Sequence, residues 1–241
     1  IGQGAGGAVT PGGNNVIMGF ESGNDITTAD SNVLIGNYSG DKLTSGELNV
    51  AVGYQALSGA TTEADGNTAI GYQAMDGDWT TNAHVSSVAI GRGTMRGALT
   101  SASSGSVAIG LSALAALTSG TNMAIGYQSG LAITTGLGNI AIGYAAMDVL
   151  VDGDYNTVLG HGAMGSGTHT DMNYNTVIGA WAGDDMTSVA VADTVLIGGF
   201  AGSGALTAAA SGTVAVGKDA LKVLTSGAKN TAVGYQAGDA L

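Results

Sequence analysis

The stretch Asn67-Thr-Ala-Ile-Gly-Tyr-Gln-Ala74 decides the fold, because versions of it recur along the whole chain. The nearest copy is Asn230-Thr-Ala-Val-Gly-Tyr-Gln-Ala237, and looser copies begin at Asn15, Asn32 and Asn122. The first copy is represented by Ile1 and Gly2, and the thirteen steps from Gly2 to Gly234 average about 18 residues. The later copies have their central glycines at Gly19, Gly36, Gly53, Gly71, Gly91, Gly110, Gly126, Gly143, Gly160, Gly179, Gly198, Gly217 and Gly234.

The three residues before each glycine predict a short β-strand. They are apolar, as in Val33-Leu-Ile35 and Val107-Ala-Ile109, or they begin with Thr, as at Thr68. Val, Ile and Thr favour extended backbone. A strand that is buried on one face alternates apolar with polar residues, whereas these strands are apolar throughout. We therefore expect both of their faces to be covered, and Ile70 to be buried. Because a lone thin roll would leave one face wet, the pattern also favours a homo-oligomer.

The residues after each glycine predict a turn with inward-facing side chains. The glycine itself is expected to adopt a conformation closed to residues with a Cβ, or to permit close approach of the next layer. A small residue follows three positions later, for example Ala74, and the next position holds either glycine or a long side chain such as Met75. This next position is expected to point inward and to be filled in only some repeats.

A second short strand is predicted from the segments Leu43–Gly46, Leu117–Gly120 and Leu224–Gly227, which share the pattern Leu-Thr-Ser-Gly. Each repeat then contains two strands and two turns, which is one coil of a parallel β-solenoid. The sequence thus predicts an all-β, elongated solenoid of about 14 coils, with residues 1–241 forming a single repeat array. Because the chain starts within a motif copy, at Ile1-Gly2, we expect it to be a fragment of a longer fibre.

The composition excludes several classes of function. Glycine supplies 43 of 241 residues, and only 10% of the residues are charged, compared with about 25% in a typical domain. A net charge of −12 argues against nucleic acid as a partner. With no cysteine, the chain can form neither a disulfide framework nor a zinc–thiolate site. No apolar stretch approaches the ~20 residues of a membrane span, so membrane insertion is not expected.

The repeats resemble two families. The run N-T-A-I-G-Y-Q-A, together with L-T-S-G, is similar to repeats of bacteriophage tail-fibre and tail-spike-associated proteins. The S-V-A-I-G copies Ser87–Gly91 and Ser106–Gly110 resemble the head of trimeric autotransporter adhesins, a left-handed parallel β-roll. These resemblances imply a left-handed β-roll, a homotrimer, and a location on the virion tail or outside the cell.

The expected function is that of a phage tail-fibre segment, a rigid shaft whose loops are presented to a host-cell receptor. The alternative is the head or stalk of a bacterial trimeric surface adhesin. A third class, an enzyme built on a β-solenoid, is disfavoured because such enzymes cluster carboxylates on one strand face and these strands carry none. We therefore expect no enzymatic activity and no catalytic or cofactor-binding residues.

The residue after the repeat glycine is often tyrosine, and this column has two interpretations. It could bind sugar rings on a host surface, or it could be a ladder that stabilises adjacent coils or the contact between chains. We favour the second, because the column is interrupted at positions such as Arg92 and His161. The tyrosines of the possible ladder are Tyr54, Tyr72, Tyr127, Tyr144 and Tyr235.

Other candidate sites carry weaker patterns. The pairs Asp76/Asp78 and Asp152/Asp154 could supply oxygen ligands to Ca²⁺, although Asp-Gly is also ordinary turn chemistry, so no metal site is expected. The stretch Gly160–Gly165 matches the dinucleotide-binding pattern G-x-G-x-x-G, but no helix is expected after it to receive a phosphate.

The three histidines also carry no catalytic pattern. His84, His161 and His169 are scattered along the chain, without a recurring Ser-His-Asp or paired-carboxylate arrangement. His169 and Asp171 are expected to form a solvated loop pair.

Overall fold

The computed structural model describes residues 1–7, 13–60, 62–79, 84–166, 172–186 and 190–239. These residues contain thirteen β-strands, two short 3₁₀ turns (Ser101–Ser103 and Ala208–Ala210) and no α-helix. They divide into two compact units, Ile1–Thr121 and Asn122–Leu241. Each unit is an all-β parallel solenoid, as predicted.

Every strand is three residues long and ends immediately before a repeat glycine. The first unit contains β1 (Val16–Met18), β2 (Val33–Ile35), β3 (Val50–Val52), β4 (Thr68–Ile70), β5 (Val88–Ile90) and β6 (Val107–Ile109). The second contains β7 (Met123–Ile125), β8 (Ile140–Ile142), β9 (Thr157–Leu159), β10 (Thr176–Ile178), β11 (Val195–Ile197), β12 (Val214–Val216) and β13 (Thr231–Val233). Within each unit, neighbouring strands pair in parallel and in register, as Val50 does with Thr68. The predicted coil of about 18 residues is therefore confirmed.

Each strand buries only one of its faces within the chain. In β2 to β12 the middle residue is buried, while the first and third residues are half-buried or exposed. Ala69 is fully buried, whereas 36% of Ile70 is exposed. The single chain therefore covers one face of each strand, and the burial expected for Ile70 is incomplete within it; whether a second chain covers the other face stays a prediction. The reason is that a coil has one strand, and the rest of the coil closes over one side of it.

The predicted second strand is also absent from the described coils. The segments at Leu43, Leu117 and Leu224 form bends and turns. Their leucines do point inward, and Leu43 is fully buried. Thr27 and Thr28 both donate their N–H groups to the single carbonyl of Thr44, at 2.9 and 3.1 Å. Two successive N–H groups thus share one acceptor, which is not the pattern of a β-ladder. The segment therefore bends, although its leucine points inward.

The repeat glycines allow the coils to approach each other closely. From Gly19 to Gly234 their φ angles lie between +127° and +147°, a region that favours glycine. A Cβ on Gly71 would lie 2.5 Å from the carbonyl oxygen of Gly91 in the next coil. Both expected reasons for glycine, the backbone conformation and the close approach, therefore apply at this position.

The size of the side chain four residues after the repeat glycine varies inversely with the size of the middle residue of the strand. Leu34 of β2 lies in a coil that has Gly40 four residues after the repeat glycine, and a Cβ on Gly40 would lie 3.0 Å from Leu34 Cδ2. Coils with a central alanine usually carry a buried Leu or Met there, as in the pairs Ala51/Leu57, Ala69/Met75, Ala89/Met95, Ala108/Leu114, Ala141/Met147 and Ala215/Leu221. Ala124 and Ala232, followed by Gly130 and Gly238, depart from this pattern, and so does Val158, which is combined with the buried Met164. In most coils, a small residue at one of the two inward positions is thus combined with a large one at the other.

The long side chains at this second inward position require a strained backbone. Leu57, Met95 and Met147 have φ angles of +57°, +48° and +56°, which cost a residue with a Cβ about 1–2 kcal/mol. All three are fully buried, and burial of such a side chain contributes about 1.5–3 kcal/mol. Burial therefore offsets the strain, which explains why either glycine or a large apolar residue is accepted here.

A buried column of asparagines, which we call the asparagine spine, connects successive coils. Asn139 donates its N–H and Nδ2 to Asn122 Oδ1, both at 3.0 Å. Its Nδ2 also donates to the Gly153 carbonyl at 2.7 Å, and its Oδ1 accepts the N–H and Nδ2 of Asn156. The spine comprises Asn15, Asn32, Asn49 and Asn67 in the first unit, and Asn122, Asn139, Asn156 and Asn175 in the second.

The spine was not among the predicted features, although a regular polar position in the sequence corresponds to it. Asn, Ser or Thr stands four residues before every repeat glycine from Gly19 onward. In the first unit, Ser87 follows the last asparagine of the spine and donates its N–H to Asn67 Oδ1 at 3.0 Å. In the second unit Thr194 donates both its N–H and its hydroxyl to Asn175 Oδ1. A side-chain acceptor beside the strand is thus the requirement that these residues share.

We expect Gly71→Ala to be much more destabilising than Gly234→Ala. Both glycines have positive φ angles, +135° and +131°, but a Cβ on Gly234 would find its nearest neighbour 3.9 Å away, at Ala237 Cβ. Gly234→Ala should therefore cost only backbone strain, about 1–3 kcal/mol, and Gly71→Ala more than about 4 kcal/mol. Urea unfolding of both variants measures the difference. Equal losses would show that close approach between coils is not the reason for glycine at this position.

Asn139→Ala is expected to lower the free energy of unfolding by about 2–5 kcal/mol. The change leaves the Gly153 carbonyl and the Asn156 amide buried without their partners, and each unsatisfied group costs about 1–3 kcal/mol. The control is Asn230→Ala, because Asn230 belongs to the same column but is half-exposed. Thermal unfolding compares the two variants, and a smaller loss for Asn139→Ala than for Asn230→Ala would contradict the role of the spine.

Candidate interaction surface

The outer strand face, formed in each unit by the first and third residues of the strands, is exposed and uncharged. In the first unit these residues are Val16, Met18, Val33, Ile35, Val50, Val52, Thr68, Ile70, Val88, Ile90, Val107 and Ile109. In the second they are Met123, Ile125, Ile140, Ile142, Thr157, Leu159, Thr176, Ile178, Val195, Ile197, Val214, Val216, Thr231 and Val233. Contiguous apolar surface of this kind marks an interaction site.

In the first unit, aromatic rings stack from coil to coil beside the outer strand face. The rings of Tyr54 and Tyr72 are 5.3 Å apart and nearly parallel. Tyr38 meets Tyr54 edge-on at 5.9 Å, and Phe20 meets Tyr38 at 5.4 Å. The guanidinium of Arg92 lies over the Tyr72 ring, 5.7 Å from its centroid. Arg92 therefore extends the column that it was expected to interrupt.

The second unit also has a run of four rings from coil to coil. Tyr144 lies between Tyr127 and His161, with ring centroids 4.9 and 4.8 Å away and planes within 10° of parallel. Trp181 follows His161 at 4.9 Å, tilted by 55°. His161, like Arg92, continues the column. Tyr235 stands apart from the other rings, and Lys218 Nζ lies 5.8 Å from its centroid.

The stacking bears on the two interpretations of the tyrosine column. A sugar ring binds to the face of an aromatic ring, but Tyr72 has Tyr54 on one side and Arg92 on the other. Tyr144 is likewise held between two rings. Offset-stacked rings contribute about 0.5–1.5 kcal/mol per pair. The geometry of these members therefore favours a ladder that stabilises adjacent coils.

The aspartates considered for calcium have other partners. Asp76 accepts a hydrogen bond from Arg96 Nε at 2.9 Å, and Asp78 pairs with Lys42 at 2.9 Å. The hydrogen bond from Lys42 lowers the pKa of Asp78 below its ordinary value. Asp154 Oδ1 accepts the N–H of Leu137 at 2.7 Å. Within the described residues, no group of three or more His, Asp or Glu side chains is arranged to hold a metal ion.

His84 is buried and makes contacts that the sequence analysis missed. Its Nδ1 lies 3.2 Å from the Thr100 carbonyl and 3.1 Å from Ser103 Oγ. Ser103 in turn donates to the Thr100 carbonyl at 2.8 Å. A carbonyl only accepts, so Nδ1 carries the proton. The Ser103–His84 pair resembles part of a hydrolytic triad, but both side chains are fully buried and Nδ1, where the acid of a triad binds, is already occupied.

Nε2 of His84 is buried without a hydrogen-bond partner, and so is Nε1 of the neighbouring Trp79. The two rings meet edge to face with centroids 4.9 Å apart. Burial lowers the pKa of His84 from its ordinary 6.5, because the charged imidazolium would lose its water. His84 is therefore a neutral core histidine in the folded chain.

Two further expectations concern glycine and histidine motifs. Gly160–Gly165 follows strand β9 and forms a turn, and none of the described residues from 160 to 166 is helical. The expected contact of His169 with Asp171 lies outside the described residues.

Comparison with known proteins gives no match: neither a family model, nor a curated protein, nor a solved structure is similar to this chain. In the described part of the chain, none of the helical segments has the length and apolar character needed to cross a membrane.

The stability of the fold should depend on pH through His84. Its pKa is lower in the folded chain than in the unfolded chain, so only the unfolded chain takes up a proton as the pH falls below about 6.5. The free energy of unfolding should therefore be lower at pH 5.5 than at pH 7.5, by up to about 1.4 kcal/mol from this group.

Urea unfolding of the native chain and of His84→Gln at both pH values isolates this contribution. Asp41 and Asp148, whose pKa values are raised by burial, are present in both proteins and cancel in the comparison. The pH-dependent loss should shrink in His84→Gln. An unchanged loss would mean that His84 is not buried as a neutral base.

Proposed function

We propose that this chain is a segment of a bacteriophage tail fibre, in which three copies pack their outer strand faces together. The segment serves as a rigid shaft and carries loops that face the host. It acts outside the cell and has no enzymatic activity. The assignment to phage rather than to a bacterial adhesin rests on the resemblance of the N-T-A-I-G-Y-Q-A and L-T-S-G motifs.

The exposed outer strand face is the observation that carries this proposal. In the first unit alone, six strands offer twelve outer positions, eleven of them aliphatic and one Thr68. If each aliphatic side chain contributes about 1 kcal/mol on losing its remaining water, the sum offsets most of the roughly 4–15 kcal/mol that association costs. The outer positions of the second unit add to this sum. A face of this size and composition therefore supports self-association.

The choice of three copies follows from the resemblance to trimeric adhesin heads. A trimer is also compatible with closed symmetry, because three identical chains in a ring can bring the same strand face of each copy to a common axis. The low charge content of the strands fits a buried position, since most acidic residues lie in the connecting segments, as Asp78, Asp152 and Asp184 do. Those segments would remain accessible in the assembly.

The interior of each unit suits a shaft. Buried amide hydrogen bonds run from coil to coil, and close backbone contacts at the glycines leave little room for rearrangement. The rigidity therefore lies in the coils, and variation between coils lies in the segments that connect them.

Sedimentation equilibrium tests the assembly. The native chain is expected to sediment as a trimer, and the double variant Ile70→Asp with Ile90→Asp as a monomer, because charges on the outer strand face would be desolvated in the interface. Both isoleucines are 36% exposed in the single chain, so circular dichroism of the monomeric variant should remain that of the native fold.

Leu48→Asp is the matched control, since Leu48 is an exposed aliphatic residue of the same unit that lies outside the strands. This variant should stay trimeric. A native chain that sediments as a monomer would overturn the proposed packing, and so would dissociation of the Leu48→Asp variant to the same extent.

A further inference from the structure

Two tyrosines occupy a corner of the coil where other coils carry no aromatic residue. Tyr155 and Tyr174 stand five residues before Gly160 and Gly179. The residues five positions before the repeat glycines of the other coils are Asn14, Ser31, Leu48, Gly66, Ser86, Gly105, Thr121, Gly138, Asp193, Gly212 and Lys229. The corner lies away from the tyrosine column described above, which follows the repeat glycine.

The backbone conformation makes these tyrosines costly for folding. Their φ angles are +56° and +59°, a conformation that costs a residue with a Cβ about 1–2 kcal/mol. Their side chains are 48% and 61% exposed, so their burial contributes less to stability than the burial of the long side chains in the core. Ser31 and Lys229 adopt the same conformation at this corner of other coils, so folding alone does not require a tyrosine here.

The two rings differ in how much of their faces is open. They stack on each other with centroids 5.3 Å apart and planes 14° from parallel. The backbone of Gly138 lies against Tyr155, since a Cβ on this glycine would be 2.7 Å from Tyr155 Cδ1. Tyr155 is thus enclosed between Gly138 and Tyr174. Among the described residues, no other ring and no cation lies over Tyr174, which is the more exposed of the two tyrosines.

Asp193 is the neighbour of Tyr174 on the side away from Tyr155. It takes the place of Tyr174 in the next coil, where its N–H donates to the Asn173 carbonyl at 3.2 Å and where Asn173 pairs with Ala192. The Asp193 side chain is exposed. Its carboxylate forms no hydrogen bond or ion pair with the described residues, so both oxygens are available as acceptors.

We propose that the exposed ring of Tyr174 and the carboxylate of Asp193 form a binding site for a neutral pyranose. The C–H groups on one face of such a sugar pack against the aromatic ring, and a hydroxyl group donates to the carboxylate. One ring face and one acceptor match one sugar unit, with Tyr155 holding the Tyr174 ring in place from behind. Acidic sugars and nucleotides are disfavoured by Asp193 and by the net charge of −12.

Saturation-transfer NMR of the full chain tests this site against oligosaccharides of glucose, galactose, mannose and N-acetylglucosamine, with oligogalacturonate as the acidic comparison. At least one neutral oligosaccharide should bind saturably. Tyr174→Ala should weaken that binding roughly tenfold or more, whereas Tyr174→Phe, which keeps the ring, should retain it. Asp193→Asn should weaken binding less than Tyr174→Ala.

Tyr54→Ala is the matched control, since Tyr54 is also a stacked, half-exposed tyrosine, but one whose ring contacts Tyr38 and Tyr72 on its two sides. It should bind the sugar as the native chain does. The proposal is overturned if no neutral oligosaccharide saturates the chain, if Tyr174→Ala binds like the native chain, or if oligogalacturonate binds most tightly. Because the site is formed by one chain, the monomeric Ile70→Asp/Ile90→Asp variant should bind equally well, so the result is independent of the trimer.

Discussion

The contact between backbones at the repeat glycines is the constraint on which the rest of the coil depends. Gly71 approaches Gly91 so closely that a Cβ would meet the carbonyl oxygen at 2.5 Å. The adjacent strands can pair in register only because this corner admits no side chain. The asparagine spine lies at the other end of the same strand, so a strand such as β4 is held between a close backbone contact and the buried amide of Asn67.

Much of this coil could be predicted from the sequence, because positions with a single physical role keep a single residue type. The three apolar residues before glycine are strands in all thirteen described cases. The small residue and the long side chain after it point inward, as Ala74 and Met75 do. The spine was missed because Asn, Ser and Thr were considered as separate residue types rather than as one class of side-chain acceptor.

The wrong predictions have physical reasons as well. Apolar residues on both sides of a strand indicate that both sides avoid water, but they do not tell whether the same chain or another one covers the second side, as Ile70 illustrates. Leu43 points inward from a bend as it would from a strand, so its pattern could not separate the two. Arg92 and His161 continue the ring stack because a planar cation or an imidazole can replace a tyrosine there.

The asparagine spine has a consequence for how such a molecule changes in evolution. The hydrogen bonds between spine amides join one coil to its immediate neighbour, and in each of them the later asparagine donates to Oδ1 of the earlier one. Duplication or loss of an entire coil therefore recreates the same set of contacts at the new junction. A shift of one residue within a strand would instead misalign the amides, so genetic change in length is tolerated as complete repeats or within the connecting segments.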